Sequence, residues 1–190
     1  MFEFLGCQIN ADIPREQMAA IVRTESSVRQ YAIGVVGGFL SRQPENADEA
    51  AAAVEMLKTS GKNYSVGLAQ VNQVNFKHYG LNASNMFDIC TNLNAGAKIL
   101  EACFTQHQDW QKAYSCYYSG NPTTGFRHGY VKKVSGNLNK PTPSAVLPPK
   151  ISIDKQPIVF VAKKNSTQSK KARAVSVRLT LTQRRLLSSF

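Results

Sequence analysis

Met18, Ile21, Val22 and Glu25 recur at spacings of three and four, so a helix here carries all four on one face. Three are apolar and belong in a core. The fourth is a carboxylate at the end of the apolar stripe. An acid withdrawn from water is harder to ionise, and its pKa rises above the ~4.3 of a free Glu. A carboxylic acid that keeps its proton near neutral pH is what general-acid catalysis requires. The competing reading makes Glu25 the first solvated residue beyond the helix end.

Three further stretches group polar and aromatic side chains: Gly67-Leu68-Ala69-Gln70-Val71-Asn72, Asn92-Leu93-Asn94-Ala95-Gly96, and Ala113 to Asn121 with Tyr114, Tyr117 and Tyr118. Singly, each is weak: a Gln-Val-Asn is commonly a capped turn, and a Tyr-rich helix is commonly core. A partner carboxylate for Glu25 is hard to find. Asp88 reads as a helix cap and Glu101 as a surface charge. Asp48, Glu49 and Glu55 lie on an alanine-rich helix and read as solvated. His78, His107 and His128 sit at none of the usual ligand spacings, so neither a metal nor a cofactor is expected.

The elements that would position these residues are mostly helices. Asp12 is a candidate N-cap with Pro14 in the first turn, and the helix should run to about Thr24. Ser26 to Gly38, with Gly34, Gly37 and Gly38, reads as a loop. Asp48 to Lys58 is a run of helix formers stopped by Gly61. Asn63 to Asn72 alternates briefly and suits a small strand or turn. Gln73 to Tyr79 is a short helix closed by Gly80. Asn92 to about His107 has a clean apolar stripe at Leu93, Ala97, Leu100 and Phe104, capped by Asp88 or Thr91. Trp110 to Tyr118 is a further helix, Gly125 to Gly129 a loop, and Tyr130, Val131 and Val134 open a last short helix. The expected fold is therefore mostly α, with at most a minimal β element.

Charge divides the chain. Residues 1–136 hold 12 Lys and Arg against 11 Asp and Glu, a net +1; residues 137–190 hold 11 against the single Asp154, a net +10. Pro141, Pro143, Pro148 and Pro149 open this second part, and paired basic residues follow among Ser, Thr and Gln. Two parts are expected: a globular domain over 1–136 and a largely disordered basic tail over 137–190. Ile158 to Val161 and Val175 to Leu181 alternate in a β-like way. A neutral globule argues against a nucleic-acid-binding core, which would carry its basic patch on the folded part. No apolar run approaches the ~18 residues of a membrane span. Met1 to Asn10 lacks the basic and apolar regions of a signal peptide.

Cys7, Cys90, Cys103 and Cys116 form no Cys-x-x-Cys pair. An even count suits two disulfides in an oxidising compartment, with four reduced buried thiols as the alternative. Of three possible pairings, Cys103 with Cys116 is favoured, across a helical hairpin turning near Gln108-Asp109. That leaves Cys7 with Cys90.

Taken in order, Glu25-Ser26, the Gly67 to Asn72 stretch, Asn92 to Gly96 and Ala113 to Asn121 resemble the lytic transglycosylases of the goose-type lysozyme-like superfamily. Within them the likeness is greatest to the muralytic components of type IV secretion and conjugative transfer systems. It covers about residues 10 to 134. It implies a lysozyme-like helical domain with a substrate cleft, Glu25 as the single catalytic acid within a Glu-Ser motif, and Tyr117 beside it. It further implies that Ser26, Gln70 and Asn72 contact glycan. A hydroxyl at Tyr117 would orient the acid or stabilise developing charge, and the planar faces of Tyr117, Tyr118 and Tyr130 suit sugar rings in a cleft, with core packing as the alternative for each. Two departures stand out: Ser27 replaces the Gly usual after Glu-Ser, and Tyr118 replaces the Asn usual after the motif Tyr.

A lone carboxylate fits that chemistry, because ordinary glycosidases need two. In the family the nucleophile is the substrate's own muramic hydroxyl, delivered by proximity. The implied activity is cleavage of the MurNAc-GlcNAc bond of peptidoglycan in the periplasm, with an anhydromuramic product, opening the wall for a transfer apparatus. The basic tail would hold the enzyme near an anionic polymer or dock secretion-channel subunits. The alternatives are a hydrolytic lysozyme and a non-catalytic scaffold of the secretion machinery.

Overall fold

The computed structural model describes residues 1–147 and 156–163. The chain opens on an antiparallel hairpin, β1 (Phe2–Phe4) and β2 (Cys7–Ile9), with Phe4 paired to Cys7. Its two-residue turn is Leu5-Gly6, both at positive φ (53° and 76°), the geometry that matches strand twist in tight hairpins. Sequence periodicity assigns no element to this stretch, because three-residue strands are too short to show alternation.

Helix α1 (Arg15–Ser26) follows. Pro14, rather than Asp12, is its N-cap, and no side chain caps it. Asp12 instead donates its backbone N–H to Glu101 Oε1 at 2.5 Å, so Glu101 ties two segments together rather than standing as a free surface charge. Met18, Ala19, Ala20, Ile21 and Val22 are fully buried, as their spacing requires. The helix runs through Glu25, past the expected end at Thr24.

The glycine-rich stretch after α1 is not simply a loop. It forms β3 (Ile33–Val35) and β4 (Gly38–Leu40), turning at Gly37 with φ 77°. Helix α2 (Ala47–Thr59) is capped by Asn46, whose side chain accepts from Glu49 N. Glu49 is not free in solvent: Arg42 meets it at 2.6 Å and 3.0 Å through two nitrogens. Strands β5 (Tyr64–Val66) and β6 (Val71–Asn72) complete an antiparallel sheet in the order β3-β5-β6. A 3-10 turn at Gln73–Asn75 leads to α3 (Phe76–Tyr79), which Gly80 closes in the left-handed region.

Helix α4 (Ile89–His107), capped by Asp88, is the central post. Leu93, Ala97 and Leu100 on it are fully buried. It turns at Gln108 into α5 (Trp110–Ser119), capped by Asp109, and the two helices pack as a hairpin. The Cys103–Cys116 disulfide closes that hairpin, and Cys7–Cys90 pins β2 to the start of α4. Both pairings agree with the sequence reading. Residues 125–127 of the expected loop fall in a one-turn helix, α6 (Thr124–Arg127), and α7 (Tyr130–Leu138) lies against α1.

Of the stretch read as a tail, residues 156–163 include β7 (Phe160–Ala162), which pairs antiparallel with β4. The β-like alternation of Ile158 to Val161 thus marks a real strand edge. Residues 148–155 and 164–190, including the Val175 to Leu181 piece, lie outside the described residues.

Candidate active site

A cleft of about 640 Å³ runs between the β3-β5-β6 sheet and the ends of α1 and α5. Glu25 lines it together with Gly34, Val35, Gln70, Asn72, Tyr117 and Tyr118. Among the described residues lining it, Glu25 is the one carboxylate.

Glu25 occupies the last turn of α1, where the helix dipole presents its negative end. Its side chain is largely withdrawn from water. Burial pushes its pKa from the ordinary 4.5 to about 7, and a hydrogen bond from Tyr130 partly opposes that rise. Tyr130 stands at the first position of α7, and its hydroxyl donates to Glu25 Oε1. The α1–α7 packing alone brings them together, because 105 residues separate them in sequence. The Tyr130 phenol is itself pushed up, by burial and by the nearby carboxylate.

Tyr117 lies beside the acid in the cleft. Its hydroxyl donates to Ala69 O at 2.6 Å and does not reach the acid as a hydrogen-bond partner. Tyr117 lines the cleft and sits near enough for the Glu25 charge to raise its phenol further, after burial. Tyr118 is half exposed, and its ring stacks on Tyr130 at 4.7 Å and 20°. Its hydroxyl meets His128 Nδ1 at 3.2 Å. A flat aromatic face therefore borders the acid.

Ser26, next in the chain, turns inward. It is buried, its hydroxyl donates to Val22 O at 3.0 Å, and it accepts from Val28 N at 3.1 Å. It turns the chain out of α1 and does not line the cleft. The turn needs help, because Ser27 and Val28 both adopt positive φ (53° and 63°). A left-handed β-branched residue is an outlier, held here by the Ser26 hydroxyl directly after the acid. Ser27, where the family usually has Gly, carries a steric cost of ~1 kcal/mol that Gly would not.

The Gly67 to Asn72 loop is held from below. Asn92, buried in α4, accepts from Ala69 N at 2.9 Å and donates to Val66 O and Met86 O at 3.0 Å each. Gly67 sits against that amide at φ 79°, leaving no room for a Cβ. Gln70, at φ 47°, donates to Ala32 O at 2.9 Å and Gly67 O at 3.1 Å while lining the cleft. Asn72 donates to Asn63 Oδ1 at 2.8 Å and to Ser65 Oγ at 3.1 Å, and both partners also line the cleft. Gln70 and Asn72 both line the cleft, with their amides partly occupied by the protein.

Gly96 explains the Asn92 to Gly96 motif. A Cβ there would fall 2.3 Å from Ala69 Cβ and 3.1 Å from both Met18 Cε and the Tyr117 hydroxyl. Gly→Ala inside a helix normally stabilises by up to ~1 kcal/mol. Gly96→Ala should instead destabilise by ~2 kcal/mol, because Ala69 Cβ at 2.3 Å is fixed to its own backbone and cannot yield without moving it. Thermal denaturation reads the sign directly.

Tyr130→Phe tests the acid's partner. The Tyr hydroxyl stabilises the ionised form of Glu25, so its loss should raise the Glu25 pKa further. The alkaline limb of the pH–rate profile should move up by about one unit, and kcat should fall by about tenfold as the acid loses its orientation. A limb that stays in place would remove Tyr130 from the proton chemistry.

The Transglycosylase SLT domain family matches residues 8–139. The Type IV secretion system protein virB1 of Brucella suis biovar 1 (strain 1330) is 43% identical over 162 residues, covering 77% of this chain and 68% of the relative. Its counterpart in Brucella abortus biovar 1 (strain 9-941) is 42% identical over 164 residues, covering 79% and 69%. Protein virB1 of Agrobacterium fabrum (strain C58 / ATCC 33970) is 29% identical over 142 residues, covering 70% and 57%. No solved structure matches at comparable significance. A solitary, proton-holding carboxyl in a sugar-sized cleft and a family match across both cleft walls lead to one conclusion: the chain belongs to the Transglycosylase SLT domain family and is a lytic transglycosylase acting on peptidoglycan.

Proposed function

We propose that the enzyme cleaves the MurNAc-GlcNAc glycosidic bond with an anhydromuramic product, opening the wall locally for a type IV secretion or conjugation apparatus. The observation that carries this reading is the single carboxyl among the cleft-lining residues, with its pKa near 7. Glu25 donates its proton to the glycosidic oxygen as the C1–O bond breaks. The muramic primary hydroxyl then closes onto C1 and returns its proton to Glu25. Atoms balance without water, and a bound nucleophile a few ångströms away supplies the advantage of proximity.

In this scheme Tyr130 orients the acid, Tyr117 shapes the floor beside it, and the Tyr118 face carries a sugar ring. Gln70 and Asn72 meet the polar edges of the glycan. Digestion of purified sacculi should release anhydro-ended muropeptides by mass spectrometry. Reducing ends instead would make the enzyme a hydrolase and overturn the scheme.

The chain then divides into a catalytic unit over 1–136 and a basic segment over 137–190. A family match ending at residue 139 supports that boundary. The +10 segment attracts the enzyme to an anionic wall or to channel subunits, at ranges that salt screens. The relatives' names support a secretion-linked role, and this reading places the enzyme's action in the periplasm. Among the described residues, no helix is long and apolar enough to cross a membrane.

A further inference from the structure

Strand β4 continues directly from the cleft wall. Gly34, Val35 and Val36 line the cleft, and the chain turns at Gly37 into β4. Val36 itself is 64% exposed at the rim. β3 has a ladder partner in β5, but β4 has none in the body of the domain: among the described residues its one ladder is with β7. A strand's backbone groups need partners, and a single unpaired strand has little reason to hold its shape.

The segment 156–163 supplies them. Gly38, Phe39 and Leu40 pair with Ala162, Val161 and Phe160. Lys163 N donates to Gly37 O at 3.0 Å at one end, and Ser41 N donates to Val159 O at 2.8 Å at the other. Arg42 Nε donates to Gln156 O at 2.8 Å while its guanidinium holds Glu49 of α2. One end of the segment is thereby fastened to a rigid helix.

Phe160 is the fitted part. Its ring fills the space a Cβ at Gly38 would need, 2.2 Å from the ideal position. Lys62 Nζ lies 4.7 Å from the ring centroid. Lys62 precedes Asn63, which lines the cleft and accepts from Asn72. The ring therefore touches both the β4 wall and the loop that leads to the opposite, polar side.

We propose that residues 156–163 are a strap that positions the glycan-binding wall, with Phe160 as its positioning residue. The strap lies outside the 8–139 family match, so it is an addition to the catalytic unit. It contacts no reacting atom. Its effect falls on how substrate is held, and it leaves proton transfer at Glu25 alone.

The test uses the full chain carrying Phe160→Ala or Phe160→Leu, with soluble glycan chains as substrate. Phe160→Ala should raise KM by about fivefold with kcat nearly unchanged, and Phe160→Leu should recover most of the loss. Amide exchange at Phe39 and Ser41 should quicken in Phe160→Ala, with α1 and α7 unaffected. Faster exchange with unchanged KM would mean the strap does not position substrate. Unchanged exchange would mean it does not hold β4. Either result overturns the proposal. The exchange arm needs no turnover, so a failure of the transglycosylase scheme would leave it readable.

Discussion

Glu25→Gln should lower turnover by about 10²–10⁴-fold, the range expected when a lone general acid is lost. Gln keeps the shape and can still accept the Tyr130 hydroxyl through its side-chain oxygen. It has no proton to give to a leaving glycosidic oxygen. No second carboxyl among the described cleft-lining residues is in position to substitute, so the loss should lie toward the upper end. Wild-type turnover should itself decline as pH rises through about 7, where Glu25 gives up its proton.

The same substitution should stabilise the fold, and the sign follows from the two states. Folded Glu25 keeps its proton to about pH 7, whereas the unfolded side chain ionises near 4.5. Below 4.5 both states are protonated and no penalty arises. Between 4.5 and 7 the unfolded state ionises first, so stability falls as pH rises. Above 7 the deficit is complete, up to ~3 kcal/mol for a shift of this size. Glu25→Gln removes it. Its melting temperature should match the wild type at pH 4 and exceed it at pH 8. A variant less stable at pH 8 would mean that Glu25 is a structural ion rather than a withheld acid.

The helices were readable because long amphipathic segments announce themselves. Met18, Ile21 and Val22 mark α1, and Leu93, Ala97 and Leu100 mark α4, and all six are buried. The strands were readable only where alternation survived, at Tyr64 to Asn72 and at Ile158 to Val161. The hairpin at Phe2–Ile9 and the separate strands β3 and β4 within Ile33–Leu40 escaped because three-residue strands leave no period, and glycine there looks like a loop. The glycines in question are strand and turn positions chosen for close approach, as Gly38 beneath Phe160 shows.

The site divides in the same way. Glu25 declared itself by position on a stripe. Its partner did not, because Tyr130 reaches it through packing between the first and last catalytic-unit helices. Tyr117 and Ser26 were the nearer guesses by motif, yet both hydroxyls serve backbone groups. Asn92 had a recognisable motif but no visible task. Its side chain holds Ala69 N within the Gly67 to Asn72 loop and Val66 O just before it, and ties both to Met86 O, across up to 26 residues.

Removing the two cystines should weaken the fold unequally, and the order tests why. Cys7–Cys90 spans 83 residues and Cys103–Cys116 spans 13. A crosslink mainly restricts the unfolded chain, and the longer loop is restricted more. The double variant Cys7→Ala/Cys90→Ala should lose ~4.5 kcal/mol, and Cys103→Ala/Cys116→Ala ~3 kcal/mol. Contacts beside the first bridge do not run through it: Asn94 accepts from Asn10 N and donates to Gln8 O, and Phe4 and Ile9 are buried, so they should outlast its loss. Activity at low temperature should therefore persist in both variants while the denaturant midpoint drops. A domain with ~5–15 kcal/mol in hand tolerates one such loss at 25 °C and comes close to unfolding on warming. Equal midpoints, or a larger drop for the short loop, would show that loop entropy is not what these bridges contribute. The α4–α5 packing across Cys103 and Cys116 would then be the source.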